Sequence, residues 1–341
     1  MKKKSINFST RKVDYYFDAD LDMVNKFSPE ENTIFLTDEN VYAAHARKFK
    51  GKKTIVIPAG EKHKNQSTVD EVINELIAMG ADRKTLLVGV GGGVVTDICG
   101  YVGSVYMRGI RFGFAPSSIL AMVDASIGGK NGIDVGAYKN LVGTINQPSF
   151  LLYDMKLLRS LPKEEWINGF AEIIKHACIK DAALFSELES NSIAALRKNA
   201  NSLSSLISRN VLLKSKVVKQ DEFEQGERKL LNFGHTLGHA IETAYALPHG
   251  HAVSIGMIAA SKISEDVLGF SETKRISSLL RKYGLPVQLD FDKSRAIEMV
   301  KMDKKKIRST MSFILLKKIG KAVIQPMEMD ELEEYIKQLQ P

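Results

Sequence analysis

Cysteine is scarce: Cys99 and Cys178 are the only two in 341 residues, and both lie in apolar stretches that read as helical. Two thiols so placed exclude a disulfide framework and fit a reduced intracellular setting. No run reaches the uninterrupted apolar length that a membrane span needs, and the basic start MKKKSINFST has no apolar segment behind it. A cytoplasmic protein without a membrane partner is expected. There is also no stripe in which lysines gather with aromatics; the net charge of +8 is scattered along polar helix faces. Nucleic acid is therefore not expected as a partner, and anionic small molecules are. Repeats and low-complexity segments are missing as well. With 44% hydrophobic residues and a length beyond what one core comfortably fills, two globular domains are expected.

What the chain does have is concentrated between Arg228 and Val253, RKLLNFGHTLGHAIETAYALPHGHAV, which holds four of its seven histidines. His235 and His239 stand four apart, so a helix over Leu237–Ala246 puts both imidazoles on one face. Pro248 and Gly250 end that helix, which lets His249 fold back toward the first pair. Neutral imidazoles with one carboxylate and an open position suit a borderline cation such as zinc. Spacing alone leaves open which three side chains bind.

Taken in order, Thr33–Thr37 and Thr54–Pro58 are short β-branched runs, Ser67–Gly80 has helical spacing, and Thr85–Val90 is almost wholly apolar. Strands alternating with helices predict an α/β domain with a parallel sheet. The last of these strands runs into Gly91, Gly92 and Gly93 and then the helix-like VVTDICGYVG. Such a turn offers backbone N–H groups to a phosphate. Val94 stands where the third glycine of the usual dinucleotide fingerprint would be, so tight strand–helix packing is the competing reading. Asp97 inside that helix is either solvated or ligand-facing. A loop-rich stretch follows with Arg108, Ser117, Ser118, Asp124, Lys130, Lys139 and Asn140, and Phe150–Asp154 reads as the final strand. From Leu161 onward helical periodicity dominates, with Ser202–Lys219 a long example, so the boundary is set at 157/158. Glu172 and Lys175, three apart on one helix face, are either an ion pair or the source of the missing carboxylate ligand. Ser254–Leu268 and Glu272–Tyr283 read as helices, and Ser312–Leu316 with Lys321–Ile324 as a hairpin.

Four segments, GGGVVTDICGYVGSVYMRG, SILAMVDASIGGKNGID, GFAEIIKH and LNFGHTLGHAIE with LPHGHAV, make nearly the whole chain similar to the 3-dehydroquinate synthase family of sugar-phosphate cyclases. The resemblance implies a Rossmann-like NAD-binding domain over 1–157, a mainly α-helical metal- and substrate-binding domain over 158–341, and an active site in the cleft between. It implies that Glu172, His235 and His249 hold Zn2+ or Co2+, with His239 beside them either in proton transfer or in support of the ligands, and Glu224 as a proton acceptor. It gives NAD to Asp38, Glu61 and Lys64, to Gly92, Gly93 and Asp97, and to Ser117, Ser118, Asp124 and Lys139. Substrate falls to Arg108, Lys130, Asn140 and Lys175, to Lys214, Arg228 and Asn232, and to Lys304 or its neighbour Lys305. Three positions depart from the family's commoner pattern: Ser117–Ser118, which keeps two hydroxyls, Tyr138, and His251, a rival metal ligand.

The implied reaction takes 3-deoxy-D-arabino-heptulosonate 7-phosphate to 3-dehydroquinate and phosphate in the shikimate pathway, leading to aromatic amino acids. It is redox-neutral, so NAD acts catalytically. A sister cyclase making an inosose or a valiolone is the nearest rival, and Arg228 with Lys214, a cationic pair suited to a carboxylate, argues against it. A metal-dependent polyol dehydrogenase, which would release NADH, and a non-enzymatic zinc protein are the others. A homodimer is the expected assembly.

Overall fold

A computed structural model describes residues 1–136, 138–288, 290–304 and 310–339, with side chains of 302–304 left aside. Of Lys304 only the helical backbone position is described, and Lys305 lies outside the described residues. The chain divides into two units, Met1–Glu165 with Ala200–Glu222, and Trp166–Asn199 with Phe223 onward.

In the first unit the strands are β1 (Lys2–Asn7), β2 (Lys12–Phe17), β3 (Thr33–Asp38), β4 (Thr54–Ile57), β5 (Leu86–Gly91), β6 (Arg111–Pro116), β7 (Lys130–Val135), β8 (Tyr138–Ile145) and β9 (Phe150–Tyr153). A seven-stranded sheet has the order β1-β2-β9-β6-β5-β3-β4. Only β1 pairs antiparallel, with β2; the other pairs are parallel. Every residue of β5 is buried, as its continuous apolar run predicts for a strand covered on both faces. Leu86, Val88 and Val90 point into a core with Leu21, Val24, Phe35, Phe49, Phe150 and Leu152. On the opposite face Gly89 makes room for Cys99 of the Gly93–Val105 helix. From β3 the chain runs outward to β4, whereas from β5 it runs the other way to β6. The carboxyl ends of β3 and β5 therefore flank the topological switch point, where ligands of doubly wound sheets bind.

Two pairs of strands stand where the sequence reading had none. The β1–β2 pair was read only as a basic run; β1 is an exposed edge on which lysines discourage further pairing. The β7–β8 hairpin replaces an expected loop, because exposed polar and glycine positions hide the period-two pattern.

The Ala200–Gln220 helix belongs to the first unit, unlike the expected division at 157/158. Its Lys214 Nζ lies 2.7 Å from Asp124 Oδ1, and its Ser215 Oγ donates to Tyr15 Oη at 3.0 Å. Helical periodicity identifies a face to be buried, but not the unit that buries it.

The second unit is mainly helical. Trp166 through Ile179 of the Lys163–Lys180 helix are buried except Ile167, and the buried stretch includes the polar Asn168, Glu172, Lys175 and His176. The helices His235–Tyr245, His249–Leu268 and Thr273–Lys282 follow, then the antiparallel hairpin β10 (Thr310–Lys318) and β11 (Lys321–Glu328). Ser264 Oγ accepts the Leu316 N–H at 3.0 Å and so ties β10 to the His249–Leu268 helix. No described helix is long and apolar enough to cross a membrane.

Candidate functional site

The two histidine-bearing helices meet through glycine. Gly234, at φ 79°, is left-handed, and a Cβ there would stand 2.8 Å from Met257 N and 2.9 Å from Val253 O. Only glycine meets both demands, so the backbone entering His235 is fixed against the next helix. The turn differs from expectation. Ala246 in a left-handed conformation closes the first helix, Pro248 precedes the second, and Gly250 lies inside that second helix. Its missing side chain has another use: a Cβ would stand 2.2 Å from Asn168 O, and Asn168 Oδ1 accepts the Gly250 N–H. Asn168 thus anchors the start of the helix that carries His249.

Those contacts bring Glu172, His235 and His249 together. Glu172 Oε1 lies 3.1 Å from His249 Nε2 and 3.3 Å from His235 Nε2. Ligand atoms around a tetrahedral zinc stand about 3.3 Å apart, given bonds of ~2.0–2.1 Å. The trio fits a divalent cation. Each imidazole also has its second nitrogen occupied: His235 Nδ1 is 3.2 Å from Phe233 O, and His249 Nδ1 is 3.2 Å from Glu242 Oε2. With Nδ1 as the N–H donor, Nε2 is left to face the metal position. Glu242 was missed in the sequence, although its spacing from His235 and His239 puts all three on one helical face.

The electrostatics of the three groups differ. Burial by itself would raise the Glu172 carboxyl, but Lys175, paired with Oε2, and then His235 hold it well below the usual carboxylate range. Burial, followed by Lys175, lowers His235 and keeps it neutral. Burial lowers His249 too, but bonds to Glu172 and Glu242 prevail and raise it to about 9, so this imidazole gives up a proton when a metal takes its place beside Glu172. The His239 ring lies 5.1 Å from His235 and 6.2 Å from His249, on the exposed side of the cluster. Among the described residues, His251 joins no group of three convergent donors. Elsewhere in this unit, Asn232 Nδ2 donates to Glu224 Oε1 at 2.5 Å, and Arg228 is buried.

In the first unit, Asp38 ends β3 and accepts the Val41 N–H at 2.9 Å, while Gly92 precedes the Gly93–Val105 helix, whose start has no side-chain cap. Three successive glycines there differ in what they avoid. A Cβ on Gly91 would strike Val95 at 2.4 Å, whereas on Gly92 or Gly93 it would meet its nearest atoms at 3.6 and 3.5 Å. Protein packing therefore requires the first glycine and not the other two. The bare backbone and a helix start without a side-chain cap at the switch point fit a pyrophosphate, and so NAD. Ser118 Oγ borders this turn, and the Ser117 N–H donates to Gly91 O at 2.8 Å.

Nearby, buried Lys64 sets its Nζ 2.7 Å from Glu61, 3.6 Å from Asp97 and 3.7 Å from Asp134. Burial raises the Asp97 carboxyl to about 7 against the pull of Lys64. Lys214 pairs with Asp124. Arg108, Lys130, Lys139 and Asn140 have exposed positions, the first beside a left-handed Met107 and the others on the β7–β8 hairpin.

A parallel sheet with a bare glycine turn at its switch point, and a separate cluster of two imidazoles and a carboxylate, make up a dinucleotide- and metal-dependent enzyme. Family models for the N-terminal and C-terminal parts of 3-dehydroquinate synthase match residues 54–168 and 169–306. The chain belongs to the 3-dehydroquinate synthase family. The 3-dehydroquinate synthase of Pyrococcus furiosus is 41% identical over 282 residues, covering 82% of each chain. Among solved structures, 2-epi-5-epi-valiolone synthase from Streptomyces hygroscopicus subsp. jinggangensis, with NAD+ and Zn2+ bound, is 26% identical at a TM-score of 0.86, over 99% of this chain and 98% of that one. A 2-deoxy-scyllo-inosose synthase complexed with carbaglucose-6-phosphate, NAD+ and Co2+ is 25% identical at a TM-score of 0.84, over 99% and 100%.

Proposed function

We propose that the protein converts 3-deoxy-D-arabino-heptulosonate 7-phosphate to 3-dehydroquinate and phosphate, as a lyase of the shikimate pathway. The observation that carries this reading is the Glu172–His235–His249 trio at metal-ligand spacing in a chain 41% identical to a 3-dehydroquinate synthase. When bound, NAD supplies a reversible hydride acceptor and the metal, zinc or cobalt, a Lewis acid. The trio holds the metal. Gly92 and Gly93 admit the pyrophosphate, with Asp38, Ser117, Ser118 and Asp124 around the nucleotide and the Glu61–Lys64–Asp97 group and Lys139 completing its contacts. Arg108, Lys130, Lys214 and Lys304 supply cations for the anionic ends of the substrate, and Arg228 forks onto its carboxylate. Asn140, Lys175 and Asn232 orient its hydroxyls, while His239 and Glu224 carry protons.

The sister cyclases are the second reading, favoured by the close likeness to the valiolone and inosose synthase structures. Their identities of 25% and 26% fall below the 41% of the synthase, and a substrate without a carboxylate leaves Arg228 unused. The decisive assay gives the heptulosonate phosphate in large excess over NAD. Phosphate release should run far beyond one equivalent of cofactor without NADH accumulating. Stoichiometric NADH, or turnover that stops after one equivalent, would refute the synthase reading in favour of a polyol dehydrogenase.

The same reading makes the protein a homodimer in the cytoplasm, recovered in the soluble fraction of lysed cells. Supporting the dimer, Leu141 is 58% and Ile145 41% exposed on β8, an apolar ribbon face with surface to bury. Light scattering at assay concentration should give twice the chain mass, and a monomer mass would remove the dimer.

A further inference from the structure

We infer that Asp134 is a positioning residue that holds Lys64 and the Lys139–Asn140 segment in one arrangement. The inference rests on the reading above, which gives those residues to NAD and substrate. Along the β7–β8 hairpin Ile133 pairs with Val142 and Val135 with Tyr138, and the register shifts between them. Asp134 alone therefore faces the longer stretch Lys139, Asn140 and Leu141. Such a bulge interrupts the ladder of backbone bonds and re-aims the side chains it carries. Here Asp134 Oδ1 accepts the Asn140 N–H at 2.7 Å, taking the place of a ladder carbonyl. Asn140 sits at φ 52°, a left-handed conformation that a non-glycine residue keeps only when its surroundings impose it. The carboxylate is what imposes it.

Asp134 also grips Lys64 twice. Its backbone N–H donates to Lys64 O at 2.8 Å, and its Oδ1 lies 3.7 Å from Lys64 Nζ. Lys64 is 5% exposed, so its ammonium depends on the carboxylates around it, here Glu61, Asp97 and Asp134. Without the Asp134 charge the ammonium is drawn toward the remaining pair on the Glu61 and Asp97 side. One oxygen thus sets both the lateral position of a buried cation and the turn that aims Lys139 and Asn140. The same atom does the two jobs by different means. The Asn140 bond needs only an acceptor, whereas the Lys64 contact needs a negative charge.

That difference gives the test, made on the full-length holoenzyme. Asp134→Asn keeps an amide oxygen for Asn140 but no charge for Lys64; Asp134→Ala keeps neither. Calorimetric titration with NAD should show affinity weakened about tenfold in both variants. Phosphate-release kinetics should show substrate KM within about threefold of the parent for Asp134→Asn and raised about tenfold for Asp134→Ala. Metal content should be unchanged in both. Parent-like NAD affinity and KM in both variants, with only a lowered melting temperature, would overturn the inference and leave a structural brace. If Asp134→Ala does not fold, unchanged NAD affinity in Asp134→Asn overturns it alone. A parent that binds NAD but releases no phosphate refutes the proposed reaction instead, while the NAD titration still decides the Lys64 part.

Discussion

Metal analysis of His249→Ala is expected to find less than about a tenth of the parent's divalent metal, and analysis of His251→Ala to find full occupancy. His249 Nε2 lies 3.1 Å from Glu172 Oε1, and its loss leaves two of the three proposed ligands where a catalytic zinc takes three. His251 joins no convergent trio among the described residues. Between these extremes falls Glu242→Gln. Its carboxylate faces His249 Nδ1 at 3.2 Å, a position from which it accepts a hydrogen bond from a proton-bearing Nδ1 and leaves Nε2 for the metal. Outer partners of this kind change metal affinity by about 10–100-fold. Competition with a chelator should show a weakening of that order, with the ligand trio intact. Full metal in His249→Ala with loss in His251→Ala would reverse the ligand assignment.

Arg228→Ala should lower kcat/KM for the heptulosonate phosphate by roughly 10–150-fold, the range given by ~1.5–3 kcal/mol for a charged hydrogen bond. The guanidinium is buried, so its substitution removes a desolvated fork and not a solvated surface charge. Arg228→Lys restores the charge without the bidentate geometry and should recover only part of the loss. NAD affinity and metal content should stay near those of the parent. A variant that turns the substrate over at the parent rate would remove the carboxylate clamp, and the sister cyclases would regain ground.

Legibility in the sequence followed the strength of the local pattern. The almost wholly apolar run identified β5, a strand buried on both faces, and short β-branched runs identified β3 and the edge strand β4, each within a residue or so. The β7–β8 ribbon gave no such sign, since β8 is exposed along nearly its whole length. The Glu172–His235–His249 cluster was half legible. Two imidazoles on one face are a local feature, but the choice of Glu172 over a solvated ion pair depended on a contact 63 residues away. Glu242 could have been found from its helical spacing. Asn168 could not, because its part in seating His249 depends on a close backbone approach that no periodicity records. Asp134 had the same difficulty: its importance comes from a register shift, which exists only once two strands have paired.

The route of the chain bears on how the protein is made. The first unit is closed by the Ala200–Gln220 helix, yet Trp166–Asn199, emerging earlier from the ribosome, belong to the second. Synthesis proceeds at roughly 5–20 residues per second, so several seconds separate the emergence of β9 from that of Lys214 and Ser215. During that interval every strand of the sheet is already present, but Lys214 and Ser215 have yet to reach Asp124 and Tyr15. A gene fragment ending after the last strand of the sheet would make that interval permanent. Splitting the protein for expression in two halves therefore requires the first half to extend past Glu222, carrying a piece of its neighbour with it.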